Sequence, residues 1–144
     1  MTQHSFILNA KWPGGRNTVG TIETTNLQTK ISIPPEMNGP GIGTNPDEML
    51  LGAAATCYII TLAAKLERAS IQVQEMSLQS EGIVEVEKGV ITYKKIIHRP
   101  TIQMIKGSNQ EKNIHRYILQ SEESCMISRA LKGNVEIEVE PTII

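Results

Sequence analysis

Short runs of alternating apolar and polar residues flank one long apolar run, and that contrast predicts the order of elements. "SFILNA" is a short apolar strand candidate, "WPGGR" supplies a turn, and "RNTVGTIET" and "LQTKISI" follow on either side of a brief "TN". Ile31 and Ile33 alternate with polar neighbours, as in a half-buried strand. These three runs predict a β-meander. "PPEMNGPGIGTNP", rich in glycine, proline and asparagine, is a loop by every local rule. Loops this long often border a site.

The long run is "NPDEMLLGAAATCYIITLAAKLERA". Asn45 is placed to cap a helix, and Pro46 suits its first position. Asp47 and Glu48 sit in the first turn and Lys65 and Arg68 near the last, each favoured by the helix dipole. Ala53, Ala54 and Ala55 are good helix formers that let neighbours approach closely. No charge falls between Met49 and Ala64, yet that stretch is shorter than a bilayer needs and contains Gly52, Thr56 and Thr61. It predicts a buried helix.

Alternation returns from Val73 to Glu87, "EKG" makes a tight turn, and "VITYKKIIHRPTIQMI" comes back as the partner strand. Pro100 has no N–H to give a ladder, so an edge or a break is expected there. "SNQEKNIHRYILQSEES" predicts a second helix, capped by Ser108 with Glu111 three residues on, its apolar stripe being Ile114, Tyr117 and Ile118. "CMISRALKG" predicts a short third helix with Ser124 as N-cap and Gly133 as its stop. "NVEIEVEP" closes as an alternating strand. The order βββ, α, ββ, αα, β is an α+β pattern in one domain, 1–144.

Composition narrows the function. The net charge is −1 with both signs spread along the chain, so neither nucleic acid nor a membrane surface is an expected partner. Aromatic residues at 3% weaken base stacking further. "MTQHSFILNAKW" lacks a positive region followed by a long apolar one, so no secretory signal is expected and a cytoplasmic location is the default. The two cysteines, Cys57 and Cys125, are too few for a disulfide scaffold. There is no CxxC, and none of His4, His98 or His115 lies at a ligand spacing from a cysteine, so no metal is expected.

The cysteines themselves differ. Cys125 falls at the start of a short helix, where backbone N–H groups favour a thiolate. Cys57 lies mid-helix in apolar company, where burial alone would make it inert core filler. To react it needs a positive neighbour, and Arg16, after a Pro-Gly-Gly turn, is the candidate, although one arginine is usually a surface charge. Asp47 or Glu48 is available to orient it, although both also serve the helix dipole. Asp47 and Cys57 are ten residues apart, roughly 15 Å along one helix, too far to share a site within it. If Asp47 orients an arginine beside a Cys57, that cysteine belongs to a partner chain, so the reactive reading predicts a homodimer with sites at its interface.

"GGR" after the first strand, "GTNPDEMLLGAAATC" into the central helix, and "CMISRAL" near the end together resemble the osmotically inducible protein C / organic hydroperoxide resistance (OsmC/Ohr) family over nearly the whole chain. "NPDEMLLGAAATC" is the most specific piece. The resemblance implies an intertwined homodimer and a thiol peroxidase that needs no cofactor. Cys57 matches the family's peroxidatic cysteine, Cys125 its resolving cysteine, and Arg16 the arginine that holds the thiolate. Asp47 matches a position usually held by glutamate and is one methylene shorter, so Glu48 is a second candidate. Tyr58 stands where the family often carries phenylalanine.

The expected reaction is attack of the Cys57 thiolate on a hydroperoxide, giving an alcohol and a sulfenic acid, then condensation with Cys125 to a disulfide. A dithiol reductant, lipoyl-type in some family members, would reopen it. Met49, Leu50, Leu51, Met126 and Ile127 are candidates for apolar pocket walls, with Glu48 and Tyr58 beside them. Two alternatives stand against this: a non-catalytic OsmC-fold protein that binds an apolar ligand or partner, and other thiol chemistry such as acyl transfer, which would want a histidine base.

Overall fold

A computed structural model describes all 144 residues and is α+β. The chain forms two compact units, Met1–Met49 and Leu50–Ile144.

The first unit holds the expected meander, in shorter strands than the sequence suggested. β1 (Asn9–Lys11), β2 (Gly20–Glu23) and β3 (Gln28–Ile31) pair antiparallel in that order. Ile22 is its one buried large apolar side chain. Phe6, Ile7 and Leu8 lie exposed ahead of β1. The loop after β3 is held by short bonds. Ser32 Oγ donates to Ile42 O and accepts from Ile42 N, both at 2.7 Å. Gly43 has φ +73°, and a Cβ there would strike the Lys30 carbonyl, so only glycine fits.

α1 (Pro46–Arg68) begins as the sequence predicts. Asn45 Oδ1 accepts from Glu48 N at 3.0 Å, satisfying one helix-end N–H, and Asn45 Nδ2 donates to Glu48 Oε1 at 2.9 Å, which fixes the two side chains against each other. The helix has 23 residues, long and apolar enough to cross a bilayer by length and composition, which the uncharged run alone is not. A stripe of it, Ala54, Tyr58, Leu62 and Leu66, is packed into the protein core. The expectation of a buried helix holds only for that stripe; Gly52, Ala53, Thr56, Ile60 and Ala63 on the opposite face are exposed.

In the second unit β4 (Val73–Glu87) and β5 (Val90–Met104) form a long hairpin. Its turn, Lys88 and Gly89, has both residues at positive φ (51° and 78°), as a two-residue hairpin turn demands. β6 (Glu136–Val139) and β7 (Thr142–Ile143) both run parallel to β5 on its other side. Pro100 therefore lies in a central strand, in continuous register opposite Leu78. The expected break falls on the far side, where β6 ends opposite His98 and β7 starts opposite Thr101.

α2 (Glu111–Ser124) and α3 (Met126–Leu131) follow β5. Both predicted caps are displaced. Gln110 occupies the N-cap position of α2 without a side-chain bond to the helix, and Ser108 Oγ accepts from Gln110 N instead. Ser124 ends α2, its hydroxyl donating to Gln120 O, so Cys125 becomes the N-cap of α3. Tyr58, Leu62, Leu66, Ile71, Ile102, Ile114 and Ile118 make the main core; Ala54, Ile96 and Val135 make a second. The opposite sheet face carries exposed ion pairs, Arg99 to Glu81 and Glu140 and Lys95 to Glu138, which add little to stability.

Candidate active site

Cys57 sits on the flank of α1, about 100° around the axis from Tyr58 in the buried stripe. It is half-buried, whereas Cys125 is fully buried. The chain brings them together: the Cys57 thiol is within hydrogen-bonding reach of the Cys125 side chain. Both are free thiols.

Their surroundings push them in opposite directions, the reverse of what each would do alone. Burial raises the Cys57 pKa, but hydrogen bonds from Cys125, from the Ile127 and Met126 backbone and from the Thr61 hydroxyl outweigh it, and the net shift is down. Thr61 stands four residues after Cys57, on the same helix face. Burial raises Cys125, its contact with Cys57 raises it further, and groups of Ser128 and Ile127 offset this only in part. The start of α3 thus favours an anion on Cys57 more than on its own cap residue. Sequence reasoning identified that helix start but assigned its effect to Cys125 alone. Thr61 was missed although its spacing from Cys57 could have found it; Ser128 carries no such signal before the two helices are brought together.

The other expected site residues divide between the units. Arg16, in the first unit, donates to Met37 O at 2.7 Å and Asn38 O at 3.1 Å in the loop after β3, and to its neighbour Asn17 Oδ1 at 2.7 Å. Asp47 is half-buried in the first turn of α1. The Glu48 carboxylate accepts from the Asn45 cap, so it is engaged in ending the helix. Met49 and Leu50 are half-buried, and Met126 is exposed at the first position of α3.

Three expected pocket residues also contact the core, two of them half-buried and one fully buried. Leu51 and Ile127 pack against Ala54, Ile96 and Val135. Tyr58 is fully buried, and its hydroxyl donates to Ile118 O at 2.8 Å. Burial holds its phenol far above the usual range, so it remains a donor. Its ring stacks on His98, with centroids 4.7 Å apart. The hydroxyl of this tyrosine thus ties α1 to α2, a bond that a phenylalanine here could not make.

His98 is also fully buried, a feature the sequence did not reveal. Its Nδ1 lies 2.7 Å from Ser80 Oγ, its cross-strand neighbour, and its Nε2 has no partner. Burial lowers its pKa to about 4, so it is neutral at physiological pH. No three His, Cys, Asp or Glu side chains cluster where they would hold a metal ion.

A thiol pair beside a short helix start, carried on a long central helix over a sheet, defines a candidate redox site in an α+β scaffold. The family model for OsmC-like protein matches residues 39–140. The chain belongs to the OsmC-like family. It is 58% identical over 145 residues to the uncharacterized protein YmaD of Bacillus subtilis, the alignment covering 99% of this chain and 97% of that one. It is 23% identical over 137 residues to the organic hydroperoxide resistance protein-like 1 of Staphylococcus saprophyticus, with 91% of each chain covered. In fold it is similar to the crystal structure of an organic hydroperoxide resistance protein OsmC from Legionella pneumophila, with TM-score 0.80, 24% identity and 99% of each chain covered.

Proposed function

We propose that the protein is a cysteine-based peroxidase that reduces organic hydroperoxides to alcohols. The observation that carries this reading is the thiol pair: a half-exposed sulfur biased toward its anion, touching a buried sulfur biased toward its thiol. A nucleophile must be ionised and reachable, and its resolving partner must be adjacent.

In the first step the Cys57 thiolate attacks the outer oxygen of the hydroperoxide. The O–O bond breaks, giving a Cys57 sulfenic acid and an alkoxide. The Cys125 S–H lies beside Cys57, and passing its proton to the alkoxide releases the alcohol and leaves a Cys125 thiolate. That thiolate attacks the Cys57 sulfur, forming the disulfide and expelling hydroxide. A dithiol reductant then returns both cysteines to their starting states. Arg16 and Asp47 enter through their match to the family motif: Arg16 as the cation that deepens the thiolate bias, Asp47 as its orienting carboxylate.

The reading includes a homodimer. On α1 the exposed face opposite the core stripe is uncharged from Gly52 to Ala63, with Ile60 62% exposed. A helix apolar on all sides needs covering on all sides, and a second copy of the same helix supplies a matching surface. A cytoplasmic location suits free thiols.

The test is a mass spectrum after one equivalent of cumene hydroperoxide. Loss of two hydrogens per chain is expected, with cumyl alcohol formed in equal amount. Cys57→Ser abolishes alcohol formation, a fall of at least about a thousandfold, with the fold intact. Two free thiols remaining after the peroxide is added would sink the reading.

A further inference from the structure

Among the buried polar atoms of this chain, the Ser128 hydroxyl has no hydrogen-bond partner. Ser128 is 4% exposed, so its hydroxyl is shielded from bulk solvent. A buried hydroxyl left unpaired is costly, and such groups in a folded protein call for an explanation. Its setting supplies one. Ser128 lies three residues after Cys125, the cap residue of α3, so its side chain is in the shell around that sulfur. Its hydroxyl is near enough to favour the ionised sulfur, yet it forms no hydrogen bond with the thiol, which is a weak acceptor.

We propose that Ser128 is a positioning residue for the Cys125 thiolate: its hydroxyl is held unpaired in the resting state and gains its acceptor when Cys125 ionises. This rests on the peroxidase reading and adds a residue to it. The Cys125 thiolate arises twice in the cycle. It is first the nucleophile that closes the disulfide. It is then the leaving group when the reductant opens it, because Cys57 is the half-exposed sulfur that an external thiolate reaches, and Cys125 is fully buried. In that exchange the reductant sulfur bonds to Cys57, the Cys57–Cys125 bond breaks, and its electron pair stays on Cys125. The second thiol of the reductant then frees Cys57.

The direction of the electrostatics agrees. Burial and the Cys57 contact raise the Cys125 pKa, and the Ser128 backbone and side chain both act against them. Other ionisable groups nearby are Tyr58 on α1 and Glu122 at the end of α2. Glu122, Glu123, Arg129 and Lys132 line a cleft of about 360 Å³ together with Ser128. Two of each sign leave the serine as the group specific to the sulfur.

The test compares Cys57→Ser protein with and without Ser128→Ala, titrating Cys125 by the ¹³Cβ shift of labelled cysteine. Removing a hydrogen bond to a charged sulfur raises the midpoint by about one unit. Ser128→Thr restores it. In the two-cysteine protein, Ser128→Ala slows disulfide closure after peroxide about threefold below the Cys125 pKa. Tenfold less thiolate is partly offset by the greater nucleophilicity of a more basic sulfur. A structural serine would instead lower thermal stability when truncated, whereas an unpaired hydroxyl costs nothing to remove, so the reduced Ser128→Ala protein melts at or above wild type. An unmoved midpoint overturns the inference whatever the peroxide experiment gives. A moved midpoint in a protein that forms no disulfide with hydroperoxide keeps Ser128's effect on the sulfur and removes the peroxidase reading.

Discussion

The two faces of α1 are made from similar residues and meet opposite fates. One carries Ala54, Tyr58, Leu62 and Leu66, all buried against the sheet and α2. The other carries Gly52, Ala53, Thr56, Ile60 and Ala63, all exposed. Hydropathy does not separate them. What does is the supply of covering surface: the hairpin and α2 cover one side of the helix and nothing in the second unit covers the other. Cys57 and Thr61 lie on the flank between, half-buried. A reactive sulfur on such a seam has a packed wall to hold it and an open side through which a substrate arrives.

The largest expected effect comes from the open face. Ile60→Arg places a charge at the centre of the surface proposed to meet a second copy. An unpaired buried charge costs about 3–5 kcal/mol, which weakens association roughly a thousandfold. Light scattering on wild type is expected to give twice the 15.9 kDa chain mass, and on the variant a monomer at micromolar concentration. A wild-type mass of one chain would mean that the two faces differ for a reason other than self-association.

On the packed face the sensitive element is His98, stacked on Tyr58. Its folded-state pKa of about 4 lies below the ordinary 6.5. The unfolded chain therefore takes up a proton first as the pH falls. The neutral, buried form contributes its full stability above pH 6.5, and this is lost progressively between 6.5 and 4, by roughly 3 kcal/mol in all. Chemical denaturation at a series of pH values should reveal that slope. His98→Gln, which retains a partner for Ser80, should flatten it; an unchanged slope would assign the acid sensitivity to carboxylates.

Much of this was legible in the residues, and the gaps have a common cause. The start of α1 could be read because Asn45, Pro46 and Glu48 are local signals acting over four positions. The meander and the hairpin followed from alternation and from Lys-Gly at a turn. Pro100 was harder: its missing N–H implies a break but does not say on which side, and β6 and β7 arrive only after two intervening helices. Ser108 and Ser124 carry the side chains of caps, yet both helices start one or two residues further on, behind Gln110 and Cys125, neither of which makes a side-chain bond to its helix. Periodicity distinguishes faces of an element, not partners. That is why Cys57 could be put forward from the chain alone, while the α3 backbone groups that lower its pKa could not.

The next effect decides which unit ionises Cys57. The second unit alone already biases it toward the thiolate. Arg16, held by three hydrogen bonds in the first unit, is proposed to add to that bias. If it does, Arg16→Met raises the Cys57 pKa by about one to two units and shifts the pH profile of peroxide reduction by the same amount toward alkali. Iodoacetamide alkylation rates against pH read the first quantity directly. An alkylation profile that superimposes on wild type would assign ionisation to α1 and α3 alone, and leave Arg16 to bracing the loop at Met37 and Asn38.

The smallest effect tests the seam itself. Thr61 contributes one hydroxyl to the Cys57 sulfur from the next turn of the same helix. Thr61→Val keeps the shape and β-branching and removes only the donor, so the helix and core should be undisturbed. A single hydrogen bond to an anionic sulfur, shared with backbone donors and half open to water, is worth about 1 kcal/mol, or roughly a fivefold change. The expected result is a rise of some tenths of a unit in the Cys57 pKa and a fall of up to about fivefold in kcat/KM for hydroperoxide, with the melting temperature unchanged. Thr61→Ser, which keeps the hydroxyl, should stay near wild type. If valine and serine behave alike, the hydroxyl has no part in holding the thiolate, and the bias on Cys57 comes from Cys125 and the start of α3 without help from its own helix.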